Sequence, residues 1–573
     1  MAHLHKKLKN GRPYYYVREI ARVEGRPKVI NQVYLGTPER ILELATRAEG
    51  GITEIQSLEF GALWLANQIE DEIGFAKLVD SVLSRDKNEQ GPTVGEYFLY
   101  AVFNRLVDAR SKRGLPDWYR KTAIQHIRPV DIDSLNSQQF WKKWDRVNEQ
   151  QLQVIARKFF AVLAATEPSS ADCFLFDTTN YYTFMASDTD SELAARGKSK
   201  EGRDWLRQIG VALLVSRGNR LPLFYREYEG NRHDSKIFGR VLEEVLAAME
   251  IAAGPQEKLT LVFDKGMNSE ENIAMVDSHD RLGFITTYST YLAEELVQVD
   301  RKKFTPVDTE KNRQLREKGR EGDQITAWRT TGEYWGRDRA VVVTYNPRTA
   351  TKQRYVFEKK LLALQEVLFQ MGAKVRRQLP RWKRKEEVAA RYAETCAELH
   401  LPADLYQVDL FLDKKGLSMT FRKNHYRISR YINRFGKNIL ITDKLDWSTD
   451  EIVHASLDRY VVEEAFRQTK DDDLVGMMPV RHFTDSKIRC HILSCVVALA
   501  YLRIIELRLK RAGLSITAST AMESMHRLHS CLVLHAKKRS PARIIEEPDT
   551  LQSQILKAFG HEIKKGVLQT ISR

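Results

Sequence analysis

The chain has 573 residues, enough for several domains and a large hydrophobic core. Its 91 Lys and Arg against 76 Asp and Glu leave a formal charge of +15, which suits a polyanion partner such as nucleic acid, or simply a basic soluble protein. Five scattered cysteines (Cys173, Cys396, Cys490, Cys495 and Cys531) exclude a disulfide framework, and Cys490-His491 with Cys495 lacks the second pair a zinc site needs.

No apolar core follows the opening charges, so no signal peptide is expected, and the apolar run from Ile492 to Leu502 is too short to span a bilayer. The expectation is a reduced, intracellular, soluble protein without a membrane partner. Residues 1–55 read as a basic β-hairpin domain. Its strands are Tyr14–Arg18 and Val29–Leu35, joined by a turn at Glu24–Pro27. Its Lys and Arg residues suit a DNA groove or, equally, a solvated edge that resists aggregation.

Residues 56–168 read as a helical DNA-binding region. The basic residues Arg105, Arg110, Lys112 and Arg113 cluster at a helix end, where they suit phosphates or simply complement the helix dipole. Thr166–Ser170 is a turn-rich linker. Residues 169–289 then alternate strands and helices in the order β-β-β-α-β-α-β. Three hairpin-joined strands followed by alternation predict a mixed sheet with helices on its faces. Residues 290–445 read as a β-rich insertion with a basic patch around Trp335 and Trp382, suited to base stacking or to a packed core. Residues 446–510 return to the sheet domain with an acidic helix, and 511–573 form a helical tail.

Three acids stand out. Asp177 and Asp264 each end a short apolar strand, where the side chains of an α/β sheet meet a ligand crevice. Each also reads as an ordinary turn or helix-cap residue. Glu463 lies on a stretch, Leu457–Lys470, read as one helix. Val461, Val462, Ala465, Phe466 and Thr469 form its apolar face; Arg459, Glu463, Arg467 and Lys470 form a charged stripe. Taken alone, the stripe is also what surface i,i+4 pairs produce. Jointly, three carboxylates on rigid elements suit a pair of Mg²⁺ ions about 3.5–4 Å apart, the arrangement of many nucleases and polymerases.

These motifs resemble the DDE transposases of bacterial insertion sequences, with an RNase H-like core, and within them the group marked by a Tyr-Arg-Glu-Lys signature. Phe176-Asp177-Thr-Thr resembles the first-Asp strand, and Val262-Phe-Asp264-Lys-Gly-Met-Asn268 the second. Arg459, Glu463 and Lys470 match the signature, and Gly230-Asn231 with Asp234 resembles a further family motif. Two places depart from the pattern. The signature Tyr falls on Ser456. Where hairpin-forming relatives carry a stacking aromatic, this chain has Asn438, with Phe435 nearest. The resemblance implies a homodimeric transposase that cuts transposon ends and joins them to target DNA. Asp177, Asp264 and Glu463 would hold Mg²⁺, with Mn²⁺ able to substitute. Arg459, Arg467, Lys470 and Lys265 would contact double-stranded DNA, both terminal inverted repeats and target. It also implies a cytoplasmic, nucleoid-associated protein. The competing readings are an RNase H-fold nuclease without strand transfer and a transposase-derived DNA-binding protein without turnover.

Overall fold

The computed structural model describes residues 2–9, 12–23, 26–41, 52–83, 90–168, 173–254, 258–414, 416–535 and 541–571. The first half of the expected turn at Glu24–Pro27 and the end of the linker at Thr166–Ser170 therefore lie outside the described residues. The chain forms two compact units, one from 1–257 with 460–573 and the other from 258–459.

The first unit opens on three antiparallel strands rather than a two-stranded hairpin: β1 (Ala2–Lys9), β2 (Arg12–Val23) and β3 (Arg26–Gly36). The added strand, β1, is an alternation of Lys, His and Leu too polar to stand out as a strand. A further strand, β4 (Ile52–Glu59), precedes the helices. The expected helical region contains Gly61–Ile73, Phe75–Val82, Val94–Val107 and Glu149–Thr166. Val94–Val107 starts on a capping box in which Thr93 and Glu96 satisfy each other's backbone amides.

The sheet strands of this unit are β5 (Cys173–Thr183), β6 (Ala195–Arg196), β7 (Arg207–Ser216) and β8 (Pro222–Glu229). β7 pairs antiparallel with β5, β6 and β8. Its burial is nearly continuous, as the fully apolar sequence predicts. The helix Asp234–Ala253 follows.

The second unit begins with β9 (Leu259–Phe263), the helix Glu270–Asp277 and β10 (Leu282–Tyr288), with β9 and β10 parallel. The short β11 (Thr305–Pro306) pairs with β12 (Thr326–Tyr334), which pairs in turn with β13 (Arg337–Tyr345). β14 (Tyr406–Asp413) and β15 (Gly416–Lys423) form a separate hairpin, while β16 (Lys437–Thr442) joins β13 to β10. The segment expected to be β-rich also holds a 30-residue helix, Pro347–Arg376, and a second, Lys385–Glu398. Trp382 is buried in their shared core, with Lys374 and Arg391 over its ring at 5.1 and 4.7 Å. Trp335 packs edge-on against Phe284 and Tyr288. Both tryptophans are therefore packing residues rather than open stacking platforms. Phe435 is likewise engaged, against Phe357 and Tyr431.

The chain returns to the first unit through two helices, Tyr460–Lys470 and the 27-residue Asp485–Arg511. The second extends well beyond the apolar run at 492–502. By length and composition it is long and apolar enough to cross a membrane, but 89% of its most apolar window is buried inside the fold, as in a core helix. Cys490 and Cys495 are free and buried on it, in keeping with core positions. The expected helical tail is helical only in part. Beside Ala518–His526 and Thr550–Ala558 it carries β17 (His529–His535), β18 (Ala542–Ile545), β19 (His561–Lys564) and β20 (Val567–Thr570). β17 pairs with β4, and Cys531 and Val533 on it pack against Val33 of β3. A long-range pairing of this kind leaves no local sequence signal.

Candidate functional site

β5 does not stop at Asp177. It continues through Thr178-Thr-Asn-Tyr-Tyr-Thr183, so Asp177 stands mid-strand, opposite Leu213 of β7. The β-branched and aromatic residues after it favour extended backbone. Asp177 is half-buried, and its Oδ1 accepts the Thr178 backbone N–H at 2.8 Å.

The stretch read as one helix is two. Thr449–Leu457 ends before Asp458 and Arg459, and Tyr460–Lys470 begins after them. Arg459 is thus a junction residue rather than part of a helical stripe. In the later helix Val461, Val462, Ala465, Phe466 and Thr469 are buried as expected, and Glu463 and Arg467 are exposed. The helix packs against β5. Thr469 Oγ1 donates to the Phe466 carbonyl at 2.8 Å, so the buried Tyr181 hydroxyl donates to Thr469 Oγ1 at 2.6 Å. Lys470 pairs with Glu201 at 2.7 Å and lies 5.5 Å from the Tyr181 ring centre. Arg467 pairs with Glu464 at 3.4 Å. Tyr460, next to the junction, accepts a bond from Arg220 at 2.9 Å.

Two further residues of the first unit escaped sequence reasoning. Lys200 donates to the Thr178 hydroxyl at 3.1 Å and pairs with Asp234 at 3.3 Å; Asp234 also accepts the Tyr228 hydroxyl at 3.3 Å. Glu201 and Lys200 lie in a loop more than twenty residues beyond Asp177, so spacing carried no hint of either. Gly230 stands where backbones meet: a Cβ there would lie 2.0 Å from the Gln208 carbonyl and 2.9 Å from that of Ala195. Gly230→Ala should therefore destabilise the first unit by about 2 kcal/mol or more, because backbone rather than a movable side chain must yield. Urea unfolding midpoints of the variant and wild type check this.

In the second unit Asp264 stands directly after β9, as the sequence predicts, and leads into a short turn at Lys265–Met267. The Thr287 hydroxyl donates to its Oδ1 at 2.5 Å and Arg459 Nη1 donates to the same oxygen at 3.2 Å. Thr287 Oγ1 itself accepts the Lys265 backbone N–H at 2.9 Å, which fixes the hydroxyl's direction. Burial pushes the Asp264 carboxyl up. The Thr287 hydrogen bond, Arg459 and Lys265 outweigh that push and hold it below the ordinary aspartate range. It is an anion at neutral pH, and its side chain remains 40% exposed. Lys265 is exposed beside it.

A depressed carboxyl stabilises the fold fully above its unfolded pKa, and that contribution is lost as pH falls through the lower folded value. Wild type should therefore lose stability below about pH 4, and Asp264→Asn should flatten that part of the acid limb. Melting temperatures recorded across pH 3–6 would test it.

Asp177 and Glu463 belong to the first unit and Asp264 with Arg459 to the second. The family model described as "Transposase DDE domain" matches residues 174–502. A search of curated proteins finds no match. A solved structure, described as a cryo-EM structure of piggyBac transposase synaptic complex with hairpin DNA, is similar at 9% identity and a TM-score of 0.36, over 83% of this chain and 82% of that one.

Proposed function

The chain belongs to the transposase DDE domain family, and from that premise we propose that it binds transposon ends, cleaves phosphodiester bonds there and joins the freed 3′-hydroxyls to target DNA. The observation that carries this reading is the family match over 174–502, which contains Asp177, Asp264 and Glu463. DDE transposases generally use divalent metal ions. In this reading the three carboxylates hold two Mg²⁺, with Mn²⁺ able to substitute.

Among the described residues no three His, Cys, Asp or Glu side chains stand gathered as a metal cluster. The donor chemistry fits Mg²⁺ nonetheless: all three are hard oxygen donors, and Asp264 is already ionised and partly open. Mg²⁺ needs few carboxylates because it keeps several waters. When bound, the ions supply a water nucleophile at neutral pH and shield the charged transition state. The chain's own part is to hold and orient. Thr287 and Arg459 keep Asp264 anionic and fix its orientation. Lys265 and Arg467 present exposed cations to phosphates, and Lys470 exchanges Glu201 for a phosphate oxygen. Because two ends must be joined, a homodimer is part of the proposal, as is work on DNA at the nucleoid.

The test uses full-length protein, DNA carrying the repeats that flank its gene, and Mg²⁺. The expected result is nicking of intact ends and transfer of a pre-cut end into a second DNA. Nicking without transfer would reduce the protein to a nuclease; binding without either would make it a binding protein.

A further inference from the structure

A cleft of about 770 Å³ in the first unit is walled by Arg105, Arg110, Lys112, Arg113, Arg481 and Lys487. Two of these cations are more than nine-tenths buried, Lys112 at 5% exposure and Arg105 at 8%. Lys112 lies over two ring faces, Phe140 at 5.5 Å and Trp144 at 5.0 Å. Among the described residues neither a carboxylate nor a hydrogen-bond acceptor is paired with its ammonium. Arg105 donates to the Gly476 carbonyl at 3.0 Å, to that of Arg110, and to Asn104 at 3.4 Å, while its Nε has no acceptor.

The nearby acids do not balance this charge. Asp108 is taken by Arg110 at 2.7 Å and Asp145 by Lys487 at 3.0 Å, which leaves Asp472 as the acid on the cleft wall. His482 and His491 also line the cleft, their rings 4.8 Å apart. Burial, with Lys112, Arg105 and Lys487, drives His482 down to about 3, so its ring is neutral at pH 7. Burial lowers Lys112 and Arg105 as well, so an anion seated between them would be bound together with the proton that keeps Lys112 charged. An uncompensated buried cation is costly. A cleft that buries an ammonium with no acceptor beside a guanidinium whose Nε has none is shaped for an anion arriving from outside.

We infer that this cleft binds a phosphate group, and that the source is the DNA backbone. The choice of DNA as the source rests on the transposase reading; the phosphate site itself does not. The guanidinium of Arg105 offers directional donors and Lys112 a point charge, the pairing that phosphate oxygens use. The cleft thus gives a role to the basic segment 105–113, which the catalytic acids leave without one.

The experiment uses full-length protein in EDTA, so that no cleavage interferes. Inorganic phosphate should raise the wild-type melting temperature above that in chloride at matched ionic strength. Lys112→Met and Arg105→Gln should abolish that shift and weaken DNA binding about tenfold or more, whatever the DNA sequence. Each should also lower the slope of log affinity against log salt by about one. Lys112→Arg should keep most of both effects. Without phosphate, Lys112→Met should melt no lower than wild type, since it removes a buried amine that has no hydrogen-bond partner, which separates the result from a folding defect. Loss of the phosphate shift with DNA affinity unchanged would uphold the phosphate site and overturn DNA as its source. Lys112→Met retaining both the phosphate shift and wild-type DNA affinity would overturn the inference. A wild-type protein that never cleaves in Mg²⁺ would count against the transposase reading and leave these binding results standing.

Discussion

Replacing Asp264 by Asn should lower Mg²⁺-dependent cleavage of transposon ends by about 10³-fold or more. A metal-bound site contributes several kcal/mol of charge stabilisation in the transition state, and each 1.4 kcal/mol is about tenfold in rate. An amide is isosteric but neutral, so the variant keeps the strand end and loses the charge. Asp264 is already anionic, gripped by Thr287 and Arg459, so its ordinary cost of ionisation is met before any ion arrives. Asp177→Asn and Glu463→Gln should show losses of similar size. DNA binding in EDTA should survive all three, because none removes a cation. Arg459→Gln should do less. It removes one of several groups that hold Asp264 down, so cleavage should fall by about 10–100-fold. Cleavage rates at neutral pH, with EDTA binding as the control, separate these outcomes.

The second large effect concerns stability and lies away from the acids. Arg339 of β13 is 2% exposed and forms an ion pair with Asp277, at the end of the helix Glu270–Asp277, whose side chain is 9% exposed. Its guanidinium also lies 5.0 Å from the Phe284 ring centre. Arg339→Met should cost about 3 kcal/mol, because it strands a buried carboxylate. Arg337, 3.7 Å from the same oxygen, supplies partial relief and keeps the loss at the lower end of the range. Arg339→Met with Asp277→Leu should recover most of the stability, since a well-packed apolar pair carries no desolvation penalty. Hydrogen exchange at the β12 and β13 amides reads this within the second unit, where a single global unfolding energy is not defined. A single variant as protected as wild type would show the pair to be dispensable.

Much of the sheet was legible because burial writes itself into apolar runs. Ile209–Val215, Leu259–Phe263 and Gly283–Thr287 lie within observed strands, and Asp264 stands where its run ends. The continuation of β5 past Asp177 was readable in principle from Thr178 to Thr183, but the polar character of that stretch argued for a turn. The spacing places Arg459 on a helical stripe because it cannot see the junction at Asp458; its partnership with Asp264 spans 195 residues and exists only in three dimensions. The same holds for Glu201 on Lys470, Thr287 on Asp264 and β17 on β4. The tryptophans show the opposite limit. Trp335 and Trp382 sit among basic residues in sequence, yet packing claims both rings. The fold splits the basic segment 105–113, with Lys112 and Arg105 buried and Arg113 exposed.

On the proposed reading, Asp177, Asp264 and Glu463 each ligate the ions that drive cleavage. Exchanging each in turn for Cys tests it most directly, because a thiolate is a poor ligand for Mg²⁺ and a better one for Mn²⁺. Each Cys variant should be inactive on transposon ends in Mg²⁺ and partly revived when Mn²⁺ replaces it, whereas wild type works in both. Cys variants that cleave normally in Mg²⁺, or that stay equally dead in either metal at all three positions, would contradict it.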